Sequence, residues 1–211
     1  MMLEKDKFTQ LITKLKLAFP EEYQKKIKKE KYLKGTYLVK AGQTVKDVWY
    51  LESGTAHVFF QKGDSKITQN FIFSGEIYGI YTSLVRKIPS LFSVQLLADA
   101  VVWCFEWEDI CKIGRNTPVI VDLERLLLSC FLSNMVERSL HRFFTVEEQY
   151  LFLIKRQRNL IEQVPSVFLA NYLGTTPETI SRVRAKIKEG GDIPDISPLE
   201  YLFLKQKNKF K

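Results

Sequence analysis

The sequence predicts an α+β chain with an antiparallel β unit, barrel or double-layered roll, then a long helix, then a compact helical segment containing a helix-turn-helix. Three observations carry this reading. Between Tyr32 and about Ile113, short β-branched and aromatic runs alternate with glycine turns. From Val119 to Phe144 no glycine or proline interrupts an apolar-periodic stretch. Past Val164-Pro165-Ser166, two short periodic segments flank Gly174-Thr175-Thr176.

Composition sets the frame. The chain has 211 residues, 45% of them hydrophobic and 27% charged, an ordinary globular balance that supports a buried core. Its 32 Lys and Arg against 24 Asp and Glu give a net charge of +8, a sign that favours polyanionic partners. Cys104, Cys111 and Cys130 form an odd set without C-x-x-C spacing, so neither a disulfide framework nor a zinc site is expected. The first residues carry charge where a secretory leader needs an apolar run, and no stretch reaches the roughly 18 apolar residues of a membrane span. A cytoplasmic protein without membrane association is therefore expected.

Taken in order, Leu3, Phe8, Leu11, Ile12, Leu15 and Phe19 recur at helical spacing, and Pro20 interrupts them. Lys25, Lys26, Lys28 and Lys29 follow as a solvated basic stretch. The β unit comes next, punctuated by Gly35, Gly42, Gly54, Gly63 and Gly75. Thr117 can cap the long helix and Pro118 suits its first turn. That helix carries two apolar seams. Ile120, Leu123, Leu127 and Cys130 make one; Val121, Leu128, Leu132 and Met135 make the other. One seam can lie on the β unit and the other against a second copy of the helix, and we assign the first, Ile120 to Cys130, to the dimer. Thr145 and Glu148 are spaced as a capping box for a helix running to about Gln163, and three further helical pieces are expected, ending at Gly190-Gly191.

The segment from 164 to 191 is the most informative. A helix from about Val167 to Leu173 should end at Gly174, where a left-handed cap is wanted. Thr176 can cap the next helix, Pro177 fits its first position and Glu178 favours the positive end of its dipole. Ile180, Val183 and Ile187 share one face and would pack on Leu169, Tyr172 and Leu173, with Ala170 small at the crossing. Glu178, Ser181 and Arg182 then face outward near the helix N-terminus. A guanidinium can grip guanine O6 and N7, a carboxylate can accept from cytosine N4, and a hydroxyl is permissive. Thr176, Thr179, Arg184, Lys186 and Lys188 are the candidates for phosphate contact or positioning.

On these residues the segment resembles the helix-turn-helix of the Crp/Fnr family of bacterial regulators, and NYLGTTPETISR is similar to its Fnr-type branch with the pattern E-x-x-S-R. KGTYLVKAGQ, VWYLESGTAHVFF and FIFSGEIYG similarly follow the glycine pattern of the family's cyclic-nucleotide-binding β-roll, and the likeness spans roughly residues 30 to 191. The resemblance implies a jelly-roll (double-stranded β-helix) sensor over 1–116, a dimerisation helix over 117–143 and a winged helix-turn-helix domain over 144–211. It also implies double-stranded DNA and a second copy of the chain as partners, with RNA polymerase added if the protein activates. DIPDISPLEYLFLKQK holds two prolines and one strand-like run, so a reduced or altered wing is expected.

Cyclic-nucleotide binders of the family use a Gly-Glu turn for the ribose and an Arg-Ser or Arg-Thr pair for the phosphate, because a buried phosphate needs a charge-assisted partner. The preferred register puts Gly79-Ile80 at the ribose turn and Phe92-Ser93 at the phosphate pair, with Tyr81 alongside. Both charged ligands are then missing, which disfavours cyclic AMP and suits an apolar effector or none. A second register uses Gly75-Glu76 and Arg86, but needs an insertion and finds Lys87 where Ser or Thr belongs. No cysteine precedes Cys104, which speaks against an iron-sulfur cluster, and His57 and His141 read as ordinary rather than haem-ligating histidines. No cofactor is expected. No nucleophile-base arrangement, P-loop or metal spacing points to an enzyme. The competing reading is a ligand sensor or protein-interaction module that does not bind DNA.

Overall fold

The computed structural model describes residues 27–112, 118–140, 143–161 and 164–188, with single positions 10, 13, 21 and 25 before them. Most of the expected first helix, the Thr117 cap, His141 and all of the tail that would form a wing lie outside the described residues. The chain divides into two compact units, residues 1–133 and 134–211.

In the first unit, eight antiparallel strands form two sheets. The strands are β1 (Lys28–Tyr32), β2 (Tyr37–Val39), β3 (Asp47–Ser53), β4 (Thr55–Lys62), β5 (Ser65–Phe73), β6 (Glu76–Tyr78), β7 (Ser93–Leu96) and β8 (Ala100–Glu106). One sheet has the order β1-β8-β3-β6 and the other β2-β7-β4-β5, so consecutive strands repeatedly cross between layers, as in a jelly roll. Val48, Tyr50, Val58, Ile72, Val94 and Val102 are among the buried side chains of its core. The edge strand β1 presents Lys28, Lys29, Glu30 and Lys31 to solvent, a charged edge that discourages pairing with another chain.

Turn chemistry fixes the registers. Lys62 pairs with Ser65, leaving Gly63-Asp64 as a two-residue hairpin loop with Gly63 at φ 58°. Gly54 is demanded twice over: its φ is +105°, and a Cβ there would lie 2.7 Å from that of Ala100. Two short helices interrupt what the sequence suggested was all β: α1 (Tyr81–Arg86) and α2 (Trp107–Lys112). They form because Leu84 and Trp107 bury themselves in the core, and the Ser83 hydroxyl, fully buried, accepts from the Val45 amide and donates to the Ile88 carbonyl.

The long helix is α3 (Pro118–Leu140), 23 residues as one element. The structure corrects its seam assignment. Ile120 and Leu123 are fully buried in the core of the first unit, and Leu127 and Cys130 pack on the same core, so the seam assigned to a second copy covers the β roll instead. Among the described residues of α3, the exposed large apolar ones are Leu128, Leu132, Met135 and Val136. Spacing alone could not choose between the seams, because both repeat with the same period and differ only in what they meet.

The second unit holds α4 (Val146–Ile161), α5 (Ser166–Leu173) and α6 (Pro177–Lys188), so two of the three helical pieces expected after α4 are described. The capping box forms as expected: Glu148 accepts from the Thr145 amide at 2.8 Å, and Thr145 Oγ1 accepts from the Glu148 amide at 3.3 Å. α5 stops at Gly174, which adopts φ 66° and returns its amide to the Ala170 carbonyl.

Candidate functional site

α5 and α6 are held together by an apolar seam. Ile180, Val183 and Ile187 are buried on one side, and Leu169, Ala170, Tyr172 and Leu173 on the other. With that face committed, Glu178, Ser181 and Arg182 are all exposed, adjacent to one another in the first turns of α6. Thr176 caps the helix, its Oγ1 accepting from the Thr179 amide at 3.3 Å. The Arg182 guanidinium donates to Thr179 Oγ1 at 3.2 Å and the Ser181 hydroxyl to the Pro177 carbonyl at 3.0 Å. Glu178 is held below the usual carboxylate range by its own amide, then by the Thr176 hydroxyl and the nearby Arg182 charge. A carboxylate, a hydroxyl and a guanidinium are thus presented side by side in charged or donor-ready form.

The phosphate candidates divide. Arg184 does not face outward. Its guanidinium donates to the Tyr150 hydroxyl and Ser166 Oγ at 3.0 Å each, and to the carbonyls of Ile161 at 3.1 Å and Val164 at 2.8 Å. It fastens α6 to the end of α4 and the start of α5, and that engagement removes it from phosphate contact. A signal for this was present: Arg184 lies four residues after Ile180 and three before Ile187, inside the apolar arc. Lys186 is largely exposed and paired with Glu147 at 2.9 Å. Thr176 and Thr179 serve each other and Arg182, as above. The Lys188 side chain lies outside the described residues.

One contact within the second unit escaped sequence reasoning. Arg138, in the last turn of α3, donates to the Tyr172 carbonyl at 3.0 Å and stacks over the Tyr172 ring at 4.5 Å from its centre. Nothing in the spacing links residues 34 apart, so only the folded chain reveals the pair.

In the β roll, the residues read as a sensor pocket fall in two places, Gly79, Ile80 and Tyr81 at the start of α1 and Phe92 and Ser93 at the start of β7, and each makes packing or backbone contacts of its own. Ile80 is buried in the core, and a Cβ on Gly79 would fall 2.7 Å from the Leu84 side chain. The Tyr81 ring stacks on Phe131 at 5.3 Å. Phe92 packs against the core and meets Phe60 edge-on at 6.4 Å, and Ser93 Oγ accepts from the Ala41 amide at 3.0 Å. Glu76, central to the alternative register, is buried, and its carboxylate closes its own turn by accepting from the Phe73 amide at 3.0 Å. Arg86 is exposed.

The remaining candidates are quickly placed. His57 is fully buried, stacked between Phe59 and Phe71, with Nε2 at 2.8 Å from the Thr68 hydroxyl. Burial, assisted by the Lys66 charge, pushes its pKa down to about 4, so it is neutral at pH 7. Burial and the neighbouring Asp47 push the Cys104 thiol up to about 12, far from the thiolate that redox sensing requires. Among the described residues no group of three or more His, Cys, Asp or Glu could hold a metal ion, and no helix is long and apolar enough to cross a membrane.

Comparison with known proteins agrees with this architecture. Residues 29–116 match the cyclic nucleotide-binding domain family. Electron transport regulator A of Shewanella oneidensis is 25% identical over 78% of this chain and 70% of its own. The fumarate nitrate reduction regulatory protein of Klebsiella oxytoca is 24% identical over the same shares. Among solved structures, FixK2 from Bradyrhizobium japonicum shares the fold with a TM-score of 0.66 at 15% identity, covering 79% of this chain and 90% of FixK2. Residues 29–116 thus resemble a cyclic nucleotide-binding domain, and the chain is similar in sequence and in fold to regulators of the Crp/Fnr type.

Proposed function

We propose that the protein is a sequence-specific DNA-binding transcription regulator that acts as a cytoplasmic homodimer on a pseudo-palindromic site. One observation carries the reading: Glu178, Ser181 and Arg182 stand exposed together at the N-terminal end of the second helix of a helix-turn-helix, the end that enters the major groove in such motifs. Arg182 reads a guanine, Glu178 accepts from a cytosine amine, and Ser181 tolerates its neighbour. Lys186 and the capping threonines border this surface and position it on phosphates. The second copy packs on the exposed seam Leu128, Leu132, Met135 and Val136, which supplies the apolar face that a helix pair needs. The two reading helices then lie about 34 Å apart on one face of the duplex.

The effector is not cyclic AMP. On the preferred register Ile80 and Phe92 take the positions of the ribose carboxylate and the phosphate guanidinium, and both pack with the core of the roll. Regulation therefore works through an apolar ligand, or through the roll with none, by shifting the population of orientations open to the reading heads. RNA polymerase is a further partner if the protein activates.

Selection of bound duplexes from a random pool with purified protein tests the reading. The expected product is a two-fold symmetric motif with half-sites one helical turn apart. Recovery of unselected sequence, or of no DNA at all, would remove the base-reading role and leave a sensor or interaction module.

A further inference from the structure

Arg138, in the last turn of α3, holds Tyr172, in the first helix of the helix-turn-helix, by a hydrogen bond and a ring contact. The grip has two parts of different character. The guanidinium donates to a backbone carbonyl, which no substitution at 172 can remove, and its central carbon lies over the Tyr172 ring. Tyr172 is itself buried in the seam between α5 and α6. A rotation of α5 about that contact would carry α6, and with it Glu178, Ser181 and Arg182. Arg138 also lies two residues beyond Val136, the last position of the exposed seam on which the dimer reading rests.

We propose that Arg138 is a positioning residue that fixes the reading helix relative to the dimer helix, so that it sets which spacing between half-sites the protein accepts. The inference rests on the DNA-binding reading above. It goes further in assigning spacing selectivity, as distinct from base choice, to a residue that touches no DNA. A guanidinium is suited to the task because its planar fork fixes direction as well as distance, whereas a single flexible contact would hold only distance. Loosening the grip should leave each head able to read its half-site. It should also broaden the set of relative positions in which both heads read at once.

The test uses the full-length protein and a set of duplexes carrying the selected half-site at spacings from two base pairs shorter to two longer than the selected one. The wild type should bind the selected spacing at least tenfold more tightly than its neighbours. Arg138→Met keeps the aliphatic stem but removes charge and donors. It should reduce that preference to threefold or less while affinity for random DNA and for a single half-site stays within twofold of wild type. Arg138→Lys, which keeps the charge but not the fork, should fall between. If Arg138→Met does not fold, as judged by its far-ultraviolet circular dichroism, Arg138→Lys alone decides: a spacing profile identical to wild type overturns the proposal. An unchanged profile in folded Arg138→Met overturns it equally, and so does a parallel loss at all spacings, which would mark Arg138 as structural only. Absence of any selective binding by the wild type refutes the DNA-binding reading itself, and this inference with it.

Discussion

Arg184 Nε donates to the Tyr150 hydroxyl at 3.0 Å, and the same guanidinium satisfies two carbonyls at the end of α4 and the approach to α5. An arginine on the helix that presents the candidate base-reading residues is therefore an internal fastener. Its worth lies in the acceptors it satisfies, since a half-buried carbonyl left without a donor costs more than the bond itself contributed.

Arg184→Ala should lower the stability of the second unit by roughly 3 kcal/mol, the scale expected for removing a charged donor from several partly buried acceptors. Trp49, Trp103 and Trp107 all lie in the first unit, so their fluorescence reports on the β roll alone. Urea titration should show an earlier loss of helical circular dichroism with an unmoved fluorescence transition. Arg184→Lys should not restore stability, because an ammonium cannot reach four acceptors in different directions.

Arg182→Ala should behave differently. Exposed and bonded only lightly to Thr179, its removal should leave unfolding unchanged. Binding to the selected site should weaken by about 1–3 kcal/mol and the choice of base at one position should relax. Equal weakening on selected and random duplexes, measured by titration at one salt concentration, would reassign Arg182 to phosphate contact.

The two seams of α3 can be separated by charge. Leu132→Glu places a carboxylate on the exposed seam and should convert a dimer to a folded monomer in sedimentation, with loss of binding to the two-fold site. Leu127→Glu, only five residues away but packed on the β roll, should instead destabilise the first unit and shift its tryptophan transition. Dimers persisting in Leu132→Glu at micromolar concentration would place the interface elsewhere.

His57 makes the first unit acid-sensitive. Its pKa is about 4 in the folded chain against an ordinary 6.5. As pH falls through this window the unfolded chain takes up the proton first. The stability contribution is therefore complete above about pH 6.5 and lost progressively toward pH 4, with a ceiling of about 3 kcal/mol. His57→Phe should flatten the pH dependence of the tryptophan transition over that interval. An unchanged slope would show that other groups carry the acid sensitivity.

Much of this was legible from the chain alone, and the reasons are local. Glycine at 54, 63 and 174 announces turns because only a residue without a side chain adopts those backbone angles cheaply. Thr145 and Glu148 announce a helix start because their reach spans one turn. The outward triad on α6 followed from assigning Ile180, Val183 and Ile187 inward. Where reading failed, the deciding information was not local. α1 and α2 were absorbed into a β texture because burial of Leu84 and Trp107 depends on strands far away in sequence.

By itself, then, the sequence determined the order of the elements, their caps and turns, and which side of α6 is apolar, since each is settled by a few residues interacting within a turn or two of backbone. Only the tertiary structure decided which seam of α3 lies on the roll, that Arg184 points inward and that Arg138 meets Tyr172. Those choices turn on which surfaces come together, and periodicity specifies that a face is apolar without specifying what will cover it.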